Sequence, residues 1–196
     1  MMSNTLLESV VKKNRARLIP FMLALYVLAF LDRSNIGFAK ETYQLDTGLS
    51  NEAYALGAGI FFVVYAFLGV PANLLMRKFG ARKWIGFTTL LWGVLSAAMA
   101  WADTEAKFLL VRTLLGAAEA GFFPGMIYLT SQWFPQQNRA SIMGLFYMGA
   151  PLALTLGSPL SGALLEMHGL MGHPGWFWMF VIEGLLAVAA GAFTFF

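Results

Sequence analysis

The sequence predicts an all-α membrane protein, a bundle of six transmembrane helices. Three observations predict it. Composition is the first: 59% of the 196 residues are apolar and only 12% are charged, against roughly 25% charged in a soluble domain. The second is a series of long charge-free windows. The third is the sorting of Lys and Arg into alternate connections between those windows. A soluble globule would need a polar shell that this chain lacks, and a mean hydropathy of +0.67 excludes a disordered chain. With no Cys, there is no disulfide framework, thiolate metal site or Cys nucleophile.

A helix needs about 20 apolar residues to cross roughly 30 Å of hydrocarbon. Six segments qualify: 18–39, 53–76, 84–102, 108–131, 141–165 and 176–196. In lipid, every backbone N–H and C=O must be satisfied within the segment, which makes these spans helices. The alternating ten-residue pattern of a membrane β-barrel is absent. The first span is the least regular, because 18–31 is too short alone and must take in Asp32 and Arg33. Lys12, Lys13, Arg15 and Arg17 ahead of it imitate a signal peptide. The apolar character that resumes at Ile36 argues for a span instead. The second and third spans are uncharged, the fourth holds Arg112 and Glu119, the fifth is uncharged, and the sixth holds Glu183. Pro124, Pro151 and Pro159 invite kinks in the fourth and fifth spans. Gly121 and Gly125 form a small-xxx-small pattern that lets a neighbouring helix come close.

Nine Lys and Arg side chains fall in the N-terminal segment, the 77–83 connection and the 132–140 connection. The opposite connections hold Lys40 and Lys107 among six acids. By the positive-inside rule the N-terminus and the basic loops are cytoplasmic. The expected location is therefore a lipid bilayer, as a multi-pass protein. The chain ends at Phe196 inside an apolar run with no basic flank, which suggests half of a larger molecule. His168 and His173 share a Gly-rich external loop without a third ligand nearby, so no metal is expected. No cofactor and no nucleic-acid partner are expected either.

Ionisable residues inside a membrane span are expensive and are functional candidates by default. Counted at about 1.5 Å per residue, Asp32 lies roughly 21 Å from the cytoplasmic end of span one. Arg112 lies about 6 Å, and Glu119 about 16 Å, from the outer end of span four. Asp32, Arg33 and Arg112 then share a level, with Glu119 near the midplane, and together they are expected to line one polar cavity. The alternative is a set of structural ion pairs, such as Asp32 with Arg112. Adjacent residues point about 100° apart on a helix, so Asp32 and Arg33 are expected to face different partners. An Arg fork suits a carboxylate, and burial disfavours a charged carboxyl, which then can carry a proton. These are the parts for moving an organic anion with protons. Tyr65, mid-span two, reads equally as core packing or as a ligand contact. A channel would need symmetric rings of charge. An intramembrane Ser–His enzyme has no His within a span, and Ser158 beside Pro159 reads as helix packing.

Three stretches resemble the anion:cation symporter branch of the Major Facilitator Superfamily: YVLAFLDRSNIGFA in span one, VRTLLGAAEAGFFPGMIYLTSQWFP in span four and GHPGWFWMFVIEGL at span six. The resemblance covers essentially the whole chain. It implies a transporter of two six-helix halves with the site between them, of which this chain matches the N-terminal half, residues 1–196, while the C-terminal half is missing. It further implies uptake of a sugar acid such as L-rhamnonate with protons across a bacterial inner membrane. In that branch Asp32 and Glu119 match proton sites, Arg33 matches a ligand of the substrate carboxylate, Arg112 a partner of the span-one acid, and Tyr65 a site tyrosine. The loop between spans two and three departs from the superfamily pattern: Asn73 stands for its first Gly and Arg77 for its Asp, while Gly80, Arg82 and Lys83 remain. The acid of a cytoplasmic gating contact is therefore absent from this loop. An inactive lone half and a channel-like membrane protein are the alternatives left open.

Overall fold

The computed structural model describes residues 4–196, with side chains from residue 8 onward. Among the described residues eight α-helices run in order: α1 (Asn4–Thr47), α2 (Asn51–Phe79), α3 (Ala81–Ala98), α4 (Glu105–Glu119), α5 (Phe122–Trp133), α6 (Gln136–Tyr147), α7 (Gly149–Leu165) and α8 (Gly175–Phe193). Short 3-10 turns follow α3 and α7. Taken with continuity across two breaks, six helical stretches are long and apolar enough to cross a membrane.

Proline explains both breaks. Pro124 cannot donate to the carbonyl of Ala120 and its ring crowds it. The helix is interrupted between Glu119 and Phe122. Pro151 stands in the same relation to Tyr147, and α6 yields to α7 at Met148. Pro159 lies within α7 without ending it. Ser50 caps α2, its hydroxyl accepting from the Ala53 N–H at 3.0 Å. Gly80 turns the chain from α2 to α3 with φ of 87°, a conformation that only glycine adopts without strain.

Packing follows three dominant pairings, α3 on α8, α2 on α4 and α1 on α7, with α1 also against α8. Small residues make these approaches possible. A Cβ on Gly116 would lie 2.4 Å from the Phe61 carbonyl oxygen, so α4 meets α2 backbone to backbone. Gly93 and Gly184 do the same for α3 and α8. Gly121 packs under Ala72, and Gly125 faces the Met76 sulfur, so the helix admitted by this small-residue pair is α2.

Two aromatic clusters bracket the middle of α1. On one side Tyr26 stacks on Phe146 with centroids 4.4 Å apart and touches Phe122. On the other, Tyr43 packs edge-on against Trp176 and Phe180 and meets Phe108. The Tyr43 hydroxyl donates to the Ala102 carbonyl, and Trp176 Nε1 donates to Asp46 at 2.7 Å. Asp32 and Arg33 lie between these clusters. Many large apolar side chains point outward instead, among them Phe67 on α2 and Leu185 on α8, as expected of helices facing lipid.

Candidate functional site

Four charged side chains from α1 and α4 converge in the bundle. Arg33 donates from Nε to Glu119 Oε2 at 2.9 Å, and its Nη2 lies 2.8 Å from the same oxygen. Glu119 is fully buried. The Asp32 carboxyl lies near enough to Glu119 for the two to interact through charge. Arg112 donates from Nε to the Gly57 carbonyl at 3.3 Å, and both Asp32 and Glu119 are close enough to attract its charge. Two carboxyls and two guanidiniums therefore form one cluster.

Aromatic rings cover the guanidiniums. The Arg33 guanidinium sits 4.8 Å from the Tyr65 ring centroid and the Arg112 guanidinium 4.5 Å from that of Phe61. Phe61 also lies 5.8 Å from Arg33, and it stacks on Tyr65 one helical turn away. Cation–π attraction strengthens when the site is desolvated, and these rings cover the guanidiniums without displacing their counter-charges.

The geometry alters three sequence expectations. The close ion pair joins Arg33 to Glu119, not Asp32 to Arg112. Glu119 therefore shares the level of Asp32 and Arg33, while Arg112 lies two turns nearer the start of α4. Asp32 and Arg33 also meet the same partner. Their helical directions differ as expected, but the long Arg side chain reaches the Glu119 carboxylate, and Asp32 is near enough to interact with it through charge. Finally, Asp32, Arg112 and Glu119 are buried among packed helices, and none of the four charged residues lines the adjoining cavity. The adjoining cavity, about 600 Å³, begins at Tyr65 and runs along α2 and α5 past Gly69, Asn73, Phe123 and Tyr128 to Arg77. Tyr65 touches both the cluster and the cavity.

Three uncharged participants had no sequence signal of their own. Phe61 precedes Tyr65 by four residues, so a shared face was the available clue. Asn35 follows Asp32 by three on the same face of α1. Ser161 on α7 donates to Glu183 at 3.3 Å. The loop His173 stacks on Phe177 at 4.0 Å, and among the described residues no three His, Cys, Asp or Glu gather as a metal site.

Residues 22–196 match the family model described as Major Facilitator Superfamily. The chain is 91% identical over 195 residues to the inner membrane transport protein RhmT of Escherichia coli, covering 100% of this chain and 46% of that protein. It is 50% identical over 194 residues to a putative tartrate transporter of Agrobacterium vitis, covering 99% of this chain and 43% of that one. The chain thus spans less than half the length of these curated relatives. Its fold resembles that of an inward-facing, occupied bacterial homologue of the human lysosomal transporter Spinster, with a TM-score of 0.83 at 20% identity, over 92% of this chain and 43% of that one.

Proposed function

The chain belongs to the Major Facilitator Superfamily, and from that premise we propose that it supplies the N-terminal half of a proton-coupled symporter that imports a sugar-acid monoanion, L-rhamnonate or a close aldonate. The partner surface is a second six-helix half, and the site lies between the two. Cytoplasmic placement of the N-terminus in a bacterial inner membrane belongs to the same reading, on the distribution of Lys and Arg.

One observation carries this reading: Arg33, whose guanidinium lies against the ring of the cavity-lining Tyr65, is held by a buried carboxylate that has a second carboxyl next to it. Ionised, Glu119 occupies the Arg33 fork. A proton arriving on Glu119 removes that counter-charge and leaves the fork free for a substrate carboxylate, the geometry to which Arg is suited. Asp32 takes the second proton site, with Arg112 as its balancing cation. Tyr65 presents the cavity wall against which the substrate chain lies. Loaded, the cluster is electrically satisfied by proton and substrate together, so the two halves rock past a neutralised site. Loss of the proton to the cytoplasm restores the Arg33–Glu119 pair and expels the anion.

Uptake of labelled aldonates into cells or vesicles tests this, with this half joined in frame to the second half of the Escherichia coli relative. Saturable uptake that follows an inward proton gradient is expected, and Arg33→Ala and Glu119→Gln should each abolish accumulation. Full accumulation with proton coupling intact in both variants would remove the mechanism. Flux that fails to saturate with substrate would favour a channel.

A further inference from the structure

Two cations stand on one face of α1. Lys40 follows Arg33 by seven residues, so it lies about 10.5 Å further along the helix and within about 20° of the same direction. Each cation rests over a tyrosine of α2. The Arg33 guanidinium is 4.8 Å from the Tyr65 ring centroid, and Lys40 Nζ is 5.1 Å from that of Tyr54. Tyr54 is itself tied to α1, its hydroxyl donating to the Ile36 carbonyl at 3.0 Å, and its ring stacks on Phe108 with centroids 6.1 Å apart. Between the two cations the same face carries Gly37, where an added Cβ would meet nothing within 4 Å. Lys40 and Gly37 are exposed and Arg33 is half-buried. An open strip of helix therefore leads from Lys40 down to Arg33.

Charge distinguishes Lys40 from its surroundings. By the sidedness proposed above, its end of the bundle faces outward, and the connections there carry six acids against two lysines. Lys107 is committed, with its Nζ 2.6 Å from Asp103. Lys40 makes no ion pair among the described residues, and its neighbour Glu41 points about 100° away on the helix. The ring beneath it attracts the ammonium without cancelling its charge. An anion arriving from outside is repelled by the acids and meets in Lys40 a positive group on the face that leads to Arg33. We propose that Lys40 is the outer capture residue for the substrate carboxylate, drawing it in and passing it along the Gly37 strip to Arg33. This deepens the transport reading and rests on its anionic substrate and its sidedness. Lys suits such a station, because a hydrated point charge on a flexible stem attracts a carboxylate without the fork that would hold it. Arg33 supplies that fork deeper in, so the anion is held more firmly as it moves inward.

The test is the initial rate of proton-driven uptake against external aldonate concentration, in the joined full-length transporter, at low and at high external salt. Lys40→Gln raises KM by about three- to tenfold and leaves the maximal rate in place. Lys40→Glu raises KM further, and Lys40→Arg, which keeps the charge, stays near the unaltered value. High salt screens the attraction, so the KM of the unaltered transporter moves towards that of Lys40→Gln. Lys107→Gln, whose lysine is already paired, leaves KM unchanged. An unchanged KM in both Lys40→Gln and Lys40→Glu overturns the proposal. So does a fall in maximal rate alone, which would make Lys40 a contact to the second half. An equal rise in KM for Lys107→Gln also overturns it, because a diffuse surface charge would then account for the effect. If the unaltered joined transporter shows no saturable, proton-driven uptake, the transport reading itself has failed, and the proposal with it.

Discussion

Arg33 shows how one side chain can serve stability and transport at once. Its guanidinium neutralises a fully buried Glu119 and lies over Tyr65. Removing one member of a buried pair strands the other, at a cost of about 3–5 kcal/mol. Arg33→Ala should therefore destabilise the protein in a thermal melt in detergent, and the added change Glu119→Gln should recover part of the loss. Additive destabilisation in the double variant would mean that the pair is not coupled. Tyr65 separates the ring from its hydroxyl. Tyr65→Phe keeps the aromatic face and should change substrate KM little, whereas Tyr65→Leu loses a contact worth about 0.5–2 kcal/mol and should raise KM several-fold to about 30-fold. At this scale the sequence was readable where residues were charged. Asp32, Arg33, Arg112 and Glu119 stand out against their apolar surroundings, yet their pairing depended on the reach of an Arg side chain that helical direction alone does not encode. Phe61, Asn35 and Ser161 are ordinary residues of a membrane helix, and only their neighbours distinguish them.

Between elements, the contact of α2 with α4 sets the site. Gly116 lies one turn from Arg112 and nearly one from Glu119, and it rests against the Phe61 backbone. Gly116→Ala places a Cβ against a carbonyl oxygen that has no easy retreat. The expected cost is about 1–3 kcal/mol, seen as a lower melting temperature together with reduced uptake. Gly162→Ala is the matched control, because nothing lies within 4 Å of its added Cβ. It should be neutral or stabilising by about 0.5–1 kcal/mol, through helix propensity. The two helix interruptions were legible because Pro124 and Pro151 each point to a carbonyl four residues earlier. That the first break falls directly after Glu119 was not, since it needs the placement of the acid against α1. The close glycine contacts were legible only as a tendency: Gly121 and Gly125 carry the pattern, but α2 as the partner emerges from the packed bundle.

Across the whole molecule the helix pairings have a simple permutation. Count α4 with α5 as the fourth span, α6 with α7 as the fifth and α8 as the sixth. Exchanging the first three spans for the last three turns the pairing of one with five into that of four with two, and returns three with six to itself. The charged cluster joins spans one and four, which this exchange makes equivalent, each with an acid and an arginine. Nested three-helix repeats of this kind place sites near the midplane. The charge-free windows made the six-helix class readable, because lipid leaves few alternatives to a helix. The hidden part was rotation about each helix axis, which a single sequence does not fix when most faces are apolar. Sidedness has a clean test because the chain contains no Cys. Single cysteines at Lys78 and Gln137 should resist a membrane-impermeant maleimide applied outside intact cells, and cysteines at Glu105 and His168 should react. The reverse pattern would invert the molecule.

Exchange against accumulation in Glu119→Gln examines the claimed link between proton and Arg33 most directly. A permanently neutral residue 119 leaves the Arg33 fork open without a proton. The variant should then exchange labelled for unlabelled aldonate across vesicles, while failing to concentrate it under an imposed proton gradient. Concentrative uptake at the wild-type level, accompanied by proton entry, would contradict the account.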